Sequence, residues 1–146
     1  MKLVVQRVSR ARVTVDGDIA GEIGPGLLLF IGVGDDDDRE VVEWMVDKVL
    51  ALRIFEDEEG KMNRSVRDEK GGVLAISQFT LYGDVSKGTR PSFIKAARPG
   101  PAEDLYNFFV TALKERSDLE VASGVFGAKM DIELVNDGPV TILIEK

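Results

Sequence analysis

The sequence contains no histidine and no cysteine among its 146 residues. Without histidine there is no Ser-His-Asp or Cys-His machinery and no imidazole metal site. Without cysteine there is no thiolate nucleophile, zinc knuckle or disulfide, and nothing points to an oxidising compartment. Excess positive charge is also lacking: 19 Lys and Arg face 26 Asp and Glu, a formal net charge of −7. That balance argues against a broad basic face for nucleic acid but leaves room for a local contact with one end of one. The longest apolar run, Gly26 to Val33, is too short to span a bilayer. The chain opens directly into an alternating pattern rather than a charged-then-apolar leader, so a cytoplasmic location is expected. Three Asn and two Gln give a faint heat-adapted signature.

What is present fits an ordinary globular protein, 44% hydrophobic and 31% charged. One domain over residues 1–146 is expected, without repeat, linker or low-complexity stretch. Leu3, Val5, Val8, Val13 and Val15 alternate with polar residues over Lys2–Val15, and Asp16-Gly17 turns the chain into a short return strand, Ile19–Ile23. Leu27–Val33 reads as a strand buried on both faces. Val41, Val42, Trp44, Met45, Val46, Val49, Leu50 and Leu52 recur at helical spacing. The preceding Asp35–Asp38 run lacks the alternating oxygens of a calcium loop and predicts a helix start, with Asp37 as cap. Further strands are expected over Arg53–Glu58 and Val73–Leu81. A second amphipathic helix opens at Gly100-Pro101 with core residues Leu105, Phe108, Phe109, Ala112 and Leu113. The remainder predicts strands at Val121–Val125, Met130–Val135 and Val140–Ile144, the last two separated by Asn136-Asp137-Gly138-Pro139. The fold class is mixed α/β, strand-rich, with two helices covering one sheet face.

Three segments carry polar groups that packing alone does not demand. Ser77-Gln78-Phe79-Thr80 places an amide and two hydroxyls at the end of a buried strand, where an unpaired polar group costs about 1–3 kcal/mol. They either close the sheet edge or form a site. Lys87-Gly88-Thr89-Arg90-Pro91-Ser92-Phe93 gathers cations, hydroxyls and an aromatic ring on one loop. Such a loop is either solvated or able to take a phosphate or ribose and stack on a base. Asn136-Asp137-Gly138-Pro139-Val140-Thr141, taken alone, is a tight turn between strands.

Together these segments resemble the D-aminoacyl-tRNA deacylases. The resemblance is carried, in order and spacing, by Gln6-Arg7-Val8, Gly26-Leu27-Leu28, Leu52-Arg53-Ile54-Phe55 with Gly60-Lys61-Met62-Asn63, Ser77-Gln78-Phe79-Thr80-Leu81, Arg90-Pro91-Ser92-Phe93, Gly127-Ala128-Lys129-Met130 and Asn136 to Thr141. It spans essentially the whole chain. It implies a homodimer of β/β/α layers, two strand layers with both helices on one face, that hydrolyses the ester joining a D-amino acid to the 3′-terminal adenosine of tRNA.

It further implies a pocket built by Ser77, Gln78, Phe79 and Thr80. A Gly138-Pro139 cis peptide would reach into the partner's site to exclude L-amino acids. Arg7 would lie beneath that turn, with Asn136, Val140 and Thr141 as its support. Lys87, Arg90, Ser92 and Phe93 would hold the tRNA acceptor end, with Lys95 beside them. No metal, cofactor or membrane is called for. An aminoacyl ester is already activated, and its neighbouring ribose 2′-hydroxyl can assist water. Backbone amides near Phe79 would then stabilise the oxyanion without a histidine base. A covalent role for Thr80 is the competing mechanism, and no candidate base lies near it in sequence. The alternative from another class is a non-enzymatic dimeric module that binds nucleic acid or a protein through the same loop.

Overall fold

The computed structural model describes residues 1–146. Its longest strands come from the two ends of the chain. β1 (Lys2–Val15) turns at Asp16-Gly17 into β2 (Asp18–Ile23), and β3 (Gly26–Gly32) follows. β1 gives one edge to β8 (Asp131–Glu145) along nearly its whole length. Its other edge pairs with β3 through residues 2–8 and with β2 through residues 11–15. β3 then pairs in parallel with β6 (Gly72–Ser77), and β6 in parallel with β7 (Val121–Ser123).

Side chains of β3 and β6 alternate between two cores, as strands buried on both faces must. Leu27, Leu29, Ile31, Val73 and Ala75 face a core shared with α1 (Arg39–Ala51) and α3 (Pro99–Arg116). Leu28, Leu74 and Ile76 face a second core with Val8, Ala11, Val13 and Ile23, flanked by Ile132 and Leu134 of β8. One sheet therefore supplies both strand layers, and the helices cover one outer face: β/β/α. α1 contributes Val42, Met45, Val46, Val49 and Leu50, with Trp44 exposed; α3 contributes the expected Phe109, Ala112 and Leu113 together with Ala102, Tyr106 and Val110, while Leu105 and Phe108 are only half-buried. No helix is long and apolar enough to cross a membrane.

Four local readings are corrected. The cap of α1 is Asp38, whose side chain accepts from Val41 N at 3.0 Å. Asp37 instead accepts from Gly34 N and pairs with the α-amino group of Met1, because that buried amine needs a carboxylate more than the helix does. The strand expected over Arg53–Glu58 is only β4 (Phe55–Glu56), which pairs with β5 (Met62–Arg64). A further short helix, α2 (Val66–Glu69), starts on a reciprocal Ser65–Asp68 capping box. The two expected C-terminal strands are one, because the Asn136–Val140 excursion leaves the β1 ladder and rejoins it.

Leu28, fully buried between the strand layers, sets the expected response of the core. Leu28→Ala should cost about 2–5 kcal/mol in urea unfolding. Ser65→Ala, which removes only the α2 cap, should cost about 0.5–2 kcal/mol.

Candidate functional site

β6 ends at Ser77, short of the expected Leu81. Gln78 leaves the ladder (φ −143°, ψ 78°) and residues Phe79–Tyr82 wind into a 3₁₀ turn. The stop is anchored, since Gln78 N donates to Ile31 O at 2.8 Å. Upstream, the buried Tyr106 hydroxyl donates to Ala75 O at 2.9 Å. The turn packs against residue 34, where a Cβ would lie 2.7 Å from Tyr82 Cζ, so the Tyr82 ring sits in the space that a side chain there would need. Its first hydrogen bond runs from Leu81 N to Gln78 O, which leaves the Phe79 and Thr80 amides ahead of the turn's own ladder. Gln78 Nε2 donates to Thr80 Oγ1. Two of the three polar side chains of this strand end are therefore paired with each other, at a position more exposed than a buried strand end implies.

Beside the turn lies a cleft of about 550 Å³. Ser77, Gln78 and Phe79 form one wall, and Phe93, Ala96, Ala97, Pro99 and Ala102 a second. Phe126, Gly127, Ala128, Met130 and Ile132 form the third, with Ile31 and Val33 at the back. Such a mostly apolar hollow with a few polar groups at one side is suited to a flat organic ligand. Phe93 is brought in by a hairpin closed by reciprocal Asp84–Ser92 backbone bonds of 2.8 and 2.9 Å. Its ring meets Phe79 edge to face with centroids 5.0 Å apart. Lys87, Arg90 and Ser92 are exposed on that hairpin and do not line the cleft; Thr80 is exposed beside it.

The third segment forms a separate structure. Gln6 pairs with Thr141 but Val8 with Asn136, so four residues, Asp137 to Val140, bulge out opposite Arg7. The Gly138-Pro139 peptide is cis, as expected, and Gly138 sits at φ +120°. Arg7 is buried, and its Nη1 donates to Ile54 O at 2.7 Å. Its Nε meets Asp137 through the carbonyl at 3.3 Å and Oδ2 at 3.1 Å. Asn136 Nδ2 donates to Arg7 O and Val140 O at 3.1 and 3.0 Å, and Val140 is buried beneath the turn. Thr141 Oγ1 accepts from Gln6 Nε2 at 3.2 Å. Gly138 and Pro139 are exposed and line no part of this chain's own cleft.

The sequence-predicted residues thus fall into two groups. Ser77, Gln78, Phe79 and Phe93 meet at the cleft. Arg7, Asn136, Gly138, Pro139, Val140 and Thr141 meet at the turn. The walls from Ala96–Ala102 and Phe126–Met130 were not singled out from the sequence. Their only signal was apolar residues persisting through loops, together with the Gly127–Met130 match. No group of three or more Asp or Glu side chains converges to hold a metal ion.

The chain is thus a β/β/α protein with a largely apolar cleft rimmed by amide and hydroxyl groups. A family profile for D-Tyr-tRNA(Tyr) deacylase matches residues 4–145. The D-aminoacyl-tRNA deacylase of Symbiobacterium thermophilum is 57% identical over 145 residues, covering 99% of this chain and 95% of that protein. That of Thermotoga petrophila is also 57% identical, covering 99% and 97%. A solved structure described as a c-Myc DNA unwinding element binding protein aligns over 100% of this chain and 99% of its own, with 44% identity and a TM-score of 0.95. A probable eukaryotic D-amino acid tRNA deacylase shares the fold at TM-score 0.83 and 20% identity, over 98% and 97% of the two chains. The chain belongs to the D-Tyr-tRNA(Tyr) deacylase family.

Both tyrosines of the chain fix the motif strand or its turn, and both titrate late. Tyr82 is pushed up to about 12, first by burial and then by the charges of Asp37 and Glu145. Tyr106 is pushed up to about 12 by burial, against a smaller opposing hydrogen bond from Ser123. A raised phenol pKa means the folded state holds the proton more tightly than the unfolded chain, whose tyrosines ionise near 10. The associated stability is complete below about pH 10 and is lost as pH rises towards 12. Absorbance titration should therefore show almost no phenolate at pH 10.5 in the folded protein and abundant phenolate in urea.

Proposed function

We propose that this protein hydrolyses the ester bond between a D-amino acid and the 3′-terminal adenosine of tRNA, releasing free tRNA. It is an enzyme of the deacylase family, and the observation that carries the reading is the family match over residues 4–145. The site's chemistry agrees with it. The adenosine lies in the apolar cleft along Ser77 to Phe79, with Phe93 and Phe79 offering ring surface. Lys87, Arg90 and Ser92 on the neighbouring hairpin meet the acceptor-end phosphates.

The scissile carbonyl sits at the Phe79 and Thr80 amides, which stabilise the developing oxyanion. The ribose 2′-hydroxyl assists the attacking water. Thr80 as nucleophile is disfavoured, because its hydroxyl is engaged by the Gln78 amide, a donor rather than a base.

The working unit is a homodimer. Gly138 and Pro139 are exposed and line no part of their own cleft, while the outer edge of β8 has no strand partner. Leu143 on that strand is 76% exposed. A two-fold partner covers this surface and places each Gly138-Pro139 turn in the other cleft, where its carbonyls reject L-amino acids. The protein acts in the cytoplasm, where charged tRNA is made.

A second reading, a binding module without turnover, draws on the structural neighbour described as a DNA unwinding element binding protein. The net charge of −7 weighs against a duplex-binding face.

Purified protein should release D-tyrosine but not L-tyrosine from charged tRNA, and should sediment as a dimer. Binding without turnover would replace the first reading by the second. Thr80→Ala should keep a substantial fraction of activity, and a 2′-deoxy terminal adenosine should nearly abolish turnover while leaving binding largely intact. An inactive but folded Thr80→Ala, with normal cleavage of the 2′-deoxy substrate, would return Thr80 as nucleophile.

A further inference from the structure

The Gly138-Pro139 turn does not hold itself in place. The Arg7 guanidinium lies directly beneath Gly138, where an added Cβ would come within 2.9 Å of Nη2. That guanidinium is 6% exposed, and a buried cation persists only where its donors are satisfied. Its partners come from two elements besides its own strand. The β4 arm supplies Ile54 O at 2.7 Å and, at 3.8 Å, the Glu56 carboxylate. The turn supplies both Asp137 oxygens, and Asp137 Oδ2, at 3.1 Å from Nε, provides the near charge. Ile54 is buried and fixes one end of the guanidinium to the core. Asp137 fixes the other end to the segment that must project.

We propose that Asp137 is a specificity-positioning residue. Its carboxylate clamps the turn onto Arg7 and so sets the height at which the Gly138 and Pro139 carbonyls stand, with Glu56 steadying the same guanidinium from the β4 arm. This role presupposes the cross-subunit filter proposed above. A clamp of this kind affects discrimination rather than chemistry. Rejection of an L-amino acid depends on the turn standing within a fraction of an ångström of the incoming α-carbon, whereas the Phe79 and Thr80 amides belong to a different element. Asp137 is itself 55% exposed, so replacing it leaves the core intact.

The test is the ratio of initial rates on D-Tyr-tRNA and L-Tyr-tRNA for the full chain, for Asp137→Asn and for Asp137→Glu. Thermal unfolding and sedimentation are measured alongside. Asp137→Asn should lower the D/L ratio about three- to fivefold, the scale of one lost ion pair at a half-exposed site. It should remain a dimer, and Asp137→Glu should recover most of the ratio. The Arg7 Nε–H resonance, protected from exchange in the parent chain, should exchange faster in Asp137→Asn. A wild-type protein with no D-preference, or one that is an active monomer, defeats the cross-subunit reading itself. If the parent is a D-selective dimer and Asp137→Asn keeps its ratio within about twofold, the positioning role alone falls. It falls equally if both rates drop in proportion to lost stability, or if the variant fails to fold, since Asp137 is then structural.

Discussion

The pairing of β1 with β8, interrupted on either side of Val8 and most widely opposite Arg7, is the constraint on which the rest of the structure depends. β1 gives one whole edge to β8 and divides the other between β3 and β2. Its first half therefore lies over the helices, with Leu3 and Val5 in their core, and its second half lies in the other strand layer with Val8, Ala11 and Val13. Between the two halves the β1–β8 register slips, and the larger slip lies opposite Arg7. The slip is supplied by four unpaired residues on β8. The larger interruption of the ladder is thus the place from which the Gly138-Pro139 turn projects.

The buried cation at the slip follows from the same geometry. Where the ladder is interrupted, backbone groups lose their partners, and each one left unpaired in the interior costs about 1–3 kcal/mol. Asn136 recovers two of them by donating to the carbonyls of Arg7 and Val140, and the Arg7 guanidinium takes the carbonyls of Ile54 and Asp137. No buried side-chain nitrogen or oxygen is left unpartnered anywhere in the chain. An apolar residue at position 7 would satisfy burial but leave these carbonyls orphaned. A lysine would lack the planar fork that reaches β4 and the turn together.

How much of this the sequence discloses depends on the range of the interaction. Alternation over Lys2–Val15, the apolar run after Gly26 and the helical spacing from Val41 to Leu52 predict their elements correctly, because each is imposed by a face the residues share locally. Asp37 misleads for the opposite reason. Its partner, the Met1 amine, lies 36 residues away, so the cap passes to Asp38. The strand expected through Leu81 fails because Phe79-Thr80-Leu81 is as apolar and branched as a strand should be, while the demand at Gly34 that turns Tyr82 aside is tertiary. The unity of β8 across Asn136–Val140 is invisible locally, since a turn cluster ends a strand unless the partner strand bridges it. The motif residues stood out as polar groups on apolar strands. The cleft walls at Ala96–Ala102 and Phe126–Met130 did not, for they are apolar residues in loops, with nothing local to distinguish them from packing.

On the proposed reading, a site without histidine or cysteine shifts the burden from side-chain reactivity to the accuracy of the main chain. An amide N–H cannot be tuned in pKa as a catalytic base can, so its contribution depends on where it points and on how little it moves. The structure spends its strongest local constraints accordingly. Tyr106 bonds Ala75 O two residues before the motif, Gln78 N is tied to Ile31 O, and Tyr82 is wedged against Gly34 immediately after it. The segment Ser77 to Leu81 is thus held at both ends by contacts from neighbouring elements. Gln78 and Thr80 bond each other across the bend between. On the proposed reading the same economy applies at the turn, where carbonyls rather than side chains do the rejecting, and Arg7 with its partners holds them in place. Both halves of such a site are main chain mounted on buried polar anchors. On that reading the groups that meet the substrate are ones that every residue carries.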